Sequence, residues 1–497
     1  MGAPIPNDAR LKGPFKPMRF EATVEDCIVT EGEIPKDLCG GFYRNGPTWR
    51  RPTKQGTNGI LTQDGMIQGL VFENGRADFR NRWIRTPKFL AEQRHGSGIF
   101  EWADGKFTDW RAMGFGEVKR DEATAGIPHG TNNINVFPFQ GQVVASGEQG
   151  GPPIALHPET LETTGIVPWS SKLSRGMSEP TAFGDCAFTA HPKWDHETGE
   201  LYGWAYRDEP PYVTLHNVRP DGTVKSLELW DAPYETVAHD IWLTEEWIVL
   251  PFQPFIASKE RVENDLGIFG WDESLPIKLA LVPRSLEGDV RWISADIPPQ
   301  YVMHTLSANV IDGKLTLDGP IFDRPPFPFE SDFKPGDDIA LFFSIAKSYI
   351  GRWTVDLESG KVTTEQLGDR IAELPKVDER FYGKGYEWGS FVGGDEKRKG
   401  MSMKSVITTN VRTGSEQVYR IRDDQPLAVM EPTFAPRKPD APEGDGWLIV
   451  PVSKWREGTG EYLIFDTDDI TVGPVARVEI PFRLGWTPHG CWMDFRN

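Results

Sequence analysis

Cysteine is scarce in this 497-residue chain: there are four, Cys27, Cys39, Cys186 and Cys491, and no pair has CxxC spacing. No disulfide framework is implied, and a reducing cytoplasm is the expected compartment. Long apolar runs are missing too. None approaches the ~20 residues that span a bilayer. The opening stretch, MGAPIPNDARLKGPFKPM, lacks the apolar core of a signal peptide. Its Met-Gly start is not expected to be myristoylated, because position six is Pro where Ser or Thr is needed. A soluble protein is expected, with weak peripheral membrane contact left open. Positive charge is also short, with 54 Lys and Arg against 73 Asp and Glu. That balance disfavours a nucleic-acid or anionic-membrane partner and serves solubility.

Long amphipathic helical stretches are few. Short β-branched and aromatic runs recur instead, among them LVFENGRADFRNRWI, NVFPFQGQVVASGE, GELYGWAY, ANVIDGKLTLDGP and GRWTVDLESGKVTTEQL. Asn-Gly, Asp-Gly and Ser-Gly turns lie between them, so hairpin follows hairpin and the fold class is all-β. So many hairpins exceed a sandwich. The length also exceeds the roughly 250–300 residues at which a single core stops growing. A β-propeller of four-stranded blades, at roughly 45–65 residues each, fits with seven blades. No WD or Kelch repeat is visible, and no composition break marks a second domain, so residues 1–497 read as a single domain. Inserted loops at about residues 254–266, 322–338 and 381–395 are expected to cap one face.

Nine histidines are present. His95, His129, His157, His196 and His216 lie among Gly, Pro, Glu or Asp and read as solvated turn histidines. The other four each begin or end an apolar strand. His239 opens the stretch VAHDIWLTEEWIVLPFQPF, residues 237–255, which reads as a hairpin with its tip at Thr244–Glu246. His191 follows FGDCAFTA, His304 lies in YVMHTLSANV and His489 in LGWTPHGCWM. Their spacings, 48, 65 and 185 residues, match no local zinc signature and suit ligands supplied one per blade. Each histidine alone is better explained by structure than by ligation. Neutral imidazole suits Fe, Zn or Cu, and a metal-bound histidine donates its other N–H to a carboxylate or carbonyl. Three glutamates set in apolar strands are the expected companions: Glu148, Glu373 and Glu431.

Longer motifs go further. GEIPKDLCGGFYRNGPTW, LTQDGMIQGLVFENG, AHPKWDHETGE, AHDIWLTEEWIVLP, MHTLSANV, ELPKVDERFYGKGYEWG, EPTFAPRKPDAPEGDGWLIVPV and HGCW, in this order, resemble the carotenoid cleavage oxygenases over essentially the whole length. The resemblance implies a seven-bladed propeller with a loop and helix dome over one face. It implies Fe(2+) on the axis, bound by His191, His239, His304 and His489. Glu148, Glu373 and Glu431 would each accept a hydrogen bond from one of the last three ligands. The reaction it implies adds O2 across a conjugated C=C bond and yields two carbonyl products, with no 2-oxoglutarate or nicotinamide. The electrons come from the alkene.

The wording of AHPKWDHETGE, APEGDGWLIVPV and RLGWTPHGCW looks most like members acting on stilbenes and phenylpropenes, and an aromatic alkene is the expected substrate. In those members a lysine immediately before the first glutamate, with a tyrosine upstream, engages the substrate phenol. Here the lysine position is Gly147, and the tyrosine position falls near Phe100 and Glu101. This leaves room for a different aromatic alkene or for an apocarotenoid. Beside the open iron position, where the family often has threonine, stands Ile134, which would crowd that position or simply pack an inner strand. Phe322, Phe327, Phe329 and Trp388 could wall a flat substrate or belong to the core. Isomerase chemistry and a non-enzymatic propeller serving as a binding platform are the competing readings. Four channel histidines with three carboxylates have no reason to coincide in a platform.

Overall fold

The computed structural model describes residues 4–7, 11–54, 62–102, 118–148, 151–173, 187–207, 209–258, 260–261, 264, 269–326, 348–394, 403–421 and 427–496. All strand pairing among them is antiparallel, and Pro87–His95 is an α-helix. The all-β expectation holds. The helix has local causes. Thr86 caps it by accepting from the Phe89 N–H, Pro87 opens its first turn, and Gly96 ends it at φ +88°.

Turn chemistry accounts for the tightest hairpins. Asn74-Gly75 joins Asp64–Glu73 to Arg76–Trp83, with φ of +53° and +76°. Gln140-Gly141, at +52° and +73°, joins Asn135–Phe139 to Gln142–Ser146. Asp312-Gly313, at +50° and +71°, joins Ser307–Ile311 to Lys314–Phe322. Two successive positive φ angles are the mark of the type I′ turn, whose twist matches that of paired strands.

The chain divides into two compact units. One comprises Met1–Ala190 and Ile421–Asn497. In it the final strand, His489–Asp494, pairs with Gly40–Thr48 at the edge of a five-stranded sheet, with Asn45 opposite His489. The early strand Val29–Gly32 in turn joins the late strand Ala476–Ile480 in a six-stranded sheet. A four-stranded sheet runs from Asn135–Phe139 to Thr163–Ile166. Phe42, Leu70, Phe79, Ile449, Tyr462 and Val478 fill the core between strands from both ends of the sequence. Sequence-distant strands are thus held by burial of apolar area.

The other unit is His191–Arg420. It contains two four-stranded sheets, led by Lys193–Trp194 and Trp242–Leu243, and one eight-stranded sheet. The long strand Val362–Lys376 of that sheet pairs first with Ser348–Asp356 and then, past a register shift, with Trp388–Gly394. The hairpin expected at residues 237–255 forms as read, with Trp242 opposite Val249 and Leu243 opposite Ile248. Its tip closes through the Thr244 N–H to the Trp247 carbonyl at 2.9 Å and the Trp247 N–H to Thr244 Oγ1 at 2.9 Å. The cap loops at 254–266, 322–338 and 381–395 fall partly, and 322–338 mostly, outside the described residues.

Candidate metal centre

Within the His191–Arg420 unit three histidine rings gather. His191 and His239 lie 4.5 Å apart between centroids, His191 and His304 5.0 Å, and His239 and His304 5.1 Å. None sits inside a regular strand. Each occupies the irregular backbone before one: His191 before Lys193–Trp194, His239 before Trp242–Leu243 and His304 before Ser307–Ile311. A side chain inside a strand must point to one sheet face or the other. Ahead of the first paired residue it is free to point along the strand axis.

His304 Nδ1 lies 2.7 Å from Glu373 Oε2. Both side chains are buried. A carboxylate opposite Nδ1 accepts a hydrogen bond from the ring N–H there and leaves Nε2 as a lone-pair donor. That Nε2 lies 3.3 Å from His239 Nε2. Two nitrogens about 2.1 Å from one metal ion at tetrahedral to right angles are separated by about 3.0–3.4 Å. The donor type, its tautomer and its spacing therefore fit a shared divalent ion. Glu373 reaches its ring because the strand bulges at this point. The register shifts between Glu373 and Lys376, Leu374 has φ +55°, and the Leu374 N–H also donates to Glu373 Oε2. Bulges re-aim side chains in this way.

In the other unit His489 begins its strand, and its Nδ1 lies 2.9 Å from Glu431 Oε1. The Gly490 N–H donates to the second oxygen at 2.9 Å. Glu431 occupies the break between Ala428–Val429 and Thr433–Pro436, two short strands that share one neighbour. Arg44, with no solvent exposure, clamps both segments. Its Nη1 donates to the Glu431 carbonyl at 2.5 Å, its Nε to Thr487 Oγ1 at 3.0 Å and its Nη2 to the Pro488 carbonyl at 3.1 Å. Burial lowers its pKa to about 10, opposed by the Glu431 charge, so it stays cationic at neutral pH.

The remaining expected residues are placed as follows. Glu148 is buried just past Gln142–Ser146. Ile134 is buried, and its N–H donates to the Ser146 carbonyl at 3.1 Å. A Cβ on Gly147 would stand 3.3 Å from Asn132 N and 3.4 Å from its Cα, so the chain is packed close around the missing side chain. Phe100 and Phe322 are buried, the latter 6.4 Å from the Tyr301 ring, and Trp388 is half-buried at the start of its strand. Phe327 and Phe329 lie outside the described residues.

Two of the five histidines read as solvated are not. His216 is fully buried on Val213–Val218, with Nδ1 2.8 Å from Ser226 Oγ, and burial lowers its pKa to about 4. His129 is buried with Nδ1 3.1 Å from Arg120 Nη2, and burial together with that cation lowers its pKa to about 3. His216 stands in the apolar alternation VTLHNV, a signal that its flanking Asn and Pro residues outweighed in the reading. Also unread was Asp240, which follows His239 in sequence and binds Lys193 and Thr305, near neighbours in sequence of His191 and His304.

An all-β chain that gathers three imidazoles, with a carboxylate behind His304, has a group that could hold a metal ion. Residues 15–494 match the retinal pigment epithelial membrane protein family, and the chain belongs to this family of carotenoid cleavage oxygenases. It is 32% identical to an isoeugenol monooxygenase of Pseudomonas nitroreducens, over 98% of each protein. It is 29% identical to a lignostilbene-alpha,beta-dioxygenase isozyme III of Sphingomonas paucimobilis, over 99% of this chain and 98% of that one. The crystal structure of a lignostilbene dioxygenase from Pseudomonas brassicacearum superposes with a TM-score of 0.84 at 30% identity, covering 99% of this chain and 100% of that one. The chain is an oxygenase. No helix among the described residues is long and apolar enough to cross a membrane.

Proposed function

We propose that this protein is an Fe(II)-dependent dioxygenase that cleaves the conjugated C=C bond of an aromatic alkene of stilbene or phenylpropene type. The observation that carries the reading is the three-histidine group of one unit, with two Nε2 atoms 3.3 Å apart, in a member of an oxygenase family. His489 is the fourth ligand. Glu148, Glu373 and Glu431 orient His239, His304 and His489 respectively. The fold we propose is a seven-bladed propeller spanning residues 1–497, with the inserted loops as its cap. Among the described residues, seven antiparallel sheet segments of four or more strands support that count, if the two two-stranded sheets are set aside and the eight-stranded sheet is divided at Val362–Lys376, the strand whose two ends pair with different neighbours.

Bound at this site, Fe(II) would supply a redox-active Lewis acid at which O2 and an electron-rich alkene meet. The chain's part is to keep the ligands neutral and fixed. Glu373 accepts from His304 Nδ1–H, which would leave Nε2 with the lone pair that a bound ion takes. The buried, apolar Ile134 would keep water from the open position of a bound ion. Overall, the C=C bond breaks, two C=O bonds form, and both oxygen atoms come from O2, so no external reductant is consumed. Gly147 removes the phenol-binding lysine, so a 4-hydroxyl group is not required of the substrate. The wild-type enzyme loaded with Fe(II) is to be incubated with isoeugenol, resveratrol, a non-phenolic stilbene and an apocarotenal, and the aldehydes identified by mass. Cleavage of a non-phenolic aromatic alkene is expected. Cleavage of 4-hydroxylated substrates alone would overturn the inference from Gly147, and cleavage of the apocarotenal alone would overturn the substrate class.

A further inference from the structure

One buried carboxylate joins the three segments that carry His191, His239 and His304. Asp240 follows His239 directly. Its Oδ1 accepts from Lys193 Nζ at 2.8 Å and from the Ile241 N–H at 2.8 Å. Its Oδ2 accepts from the Thr305 N–H at 2.8 Å, and lies 3.0 Å from Thr305 Oγ1 and 3.1 Å from Lys193 Nζ. The Thr305 hydroxyl is also 2.7 Å from the Ile241 carbonyl. Lys193, Asp240 and Thr305 are all buried. Lys193 stands two residues after His191, and Thr305 one after His304. The three segments lead into three different sheets.

Two backbone N–H groups and the Lys193 ammonium donate to Asp240, and a carboxylate, with about four acceptor sites, matches that set. The isosteric amide does not. Whichever way an asparagine flips, its NH2 confronts an N–H or the Lys193 ammonium. The ion pair is dry, so removing one partner strands the other. The contacts fall within two residues of each ring, and backbone that close has little slack with which to absorb a displaced anchor.

We propose that Asp240 is the positioning residue of the metal centre. Through Lys193 and Thr305 it sets the spacing of the three histidine rings, while Glu373 sets the rotation and tautomer of one of them. This rests on the metal-site reading above. The test compares wild-type protein with Asp240→Asn for Fe(II) and Co(II) affinity by chelator competition, for the visible absorption bands of the Co(II) form, and for kcat and KM on an aldehyde-yielding alkene. Asp240→Asn is expected to bind metal about 10–100-fold more weakly. Its Co(II) bands should shift, because they report ligand geometry, and kcat should fall while KM holds. If the single variant does not fold, Asp240→Asn/Lys193→Met removes both charges together, and the same shifts are expected of it. A folded variant with wild-type metal affinity and Co(II) spectrum overturns this inference alone. Wild-type protein that takes up neither metal overturns the metal-site reading and this inference with it.

Discussion

A histidine ring has two nitrogens, and the partner of one decides what the other can do. At His304 and His489 a buried glutamate takes Nδ1, at 2.7 and 2.9 Å. Glu373→Gln keeps an acceptor oxygen for His304 and is expected to weaken metal binding less than Glu373→Leu, which removes the acceptor and should cost about 10–100-fold. Chelator competition on the folded variants checks the order. His216 gives a pH prediction. Burial lowers its pKa from 6.5 to about 4, so the unfolded chain binds the proton first. Stability should therefore fall as pH drops from about 6.5 towards 4, and level off below. Urea titrations of His216→Gln against wild type across that window should show a shallower fall for the variant. At this scale the sequence was legible where chemistry was unusual. The four ligand candidates stood out because each began or ended an apolar run. Asp240 and Arg44 did not, because a carboxylate after a histidine, or an arginine in GGFYRNGP, carries no mark of being buried. Only the fold brings Lys193, Thr305 and Thr487 to them.

Elements were legible in proportion to their turn chemistry. Asn74-Gly75 and Asp312-Gly313 announce type I′ hairpins, and the stretch from 237 to 255 forms the hairpin its alternation describes. Gly313 shows why. Its φ is +71° and a Cβ there would meet nothing within 4 Å, so the whole cost of a side chain is conformational. Gly313→Ala is expected to lose about 1–2 kcal/mol of stability, measured by denaturant midpoint with an unchanged slope. What could not be read was irregularity. Glu148, Glu373 and Glu431 each lie where a strand ends, bulges or breaks, and three histidines precede their strands. Period-two alternation describes paired residues and is silent about the unpaired ones from which the candidate site is built.

Across the whole molecule, the sheets that close the chain on itself use its most distant strands. His489–Asp494 pairs with Gly40–Thr48, and Val29–Gly32 with Ala476–Ile480. No local signal specifies pairings separated by more than 400 residues, and they follow only from which apolar faces remain to be covered. Ending the chain after residue 488 would remove His489, uncover the Gly40–Thr48 edge and take Cys491 and Trp492 from the core. Such a protein is expected to lose cooperative unfolding of the unit that contains both termini, seen as a broadened thermal transition. His489→Ala should keep the transition and lose only metal.

The central claim is that histidines far apart in sequence hold one iron ion. Metal analysis of wild-type protein and His304→Ala, each purified without added metal and then titrated with Fe(II) under anaerobic conditions, tests it most directly. The account predicts about one tightly held iron per wild-type chain, and its loss in a His304→Ala protein that remains folded. A folded wild-type protein that is isolated without metal and takes up no Fe(II), or a His304→Ala protein that retains iron as tightly as wild type, would contradict it.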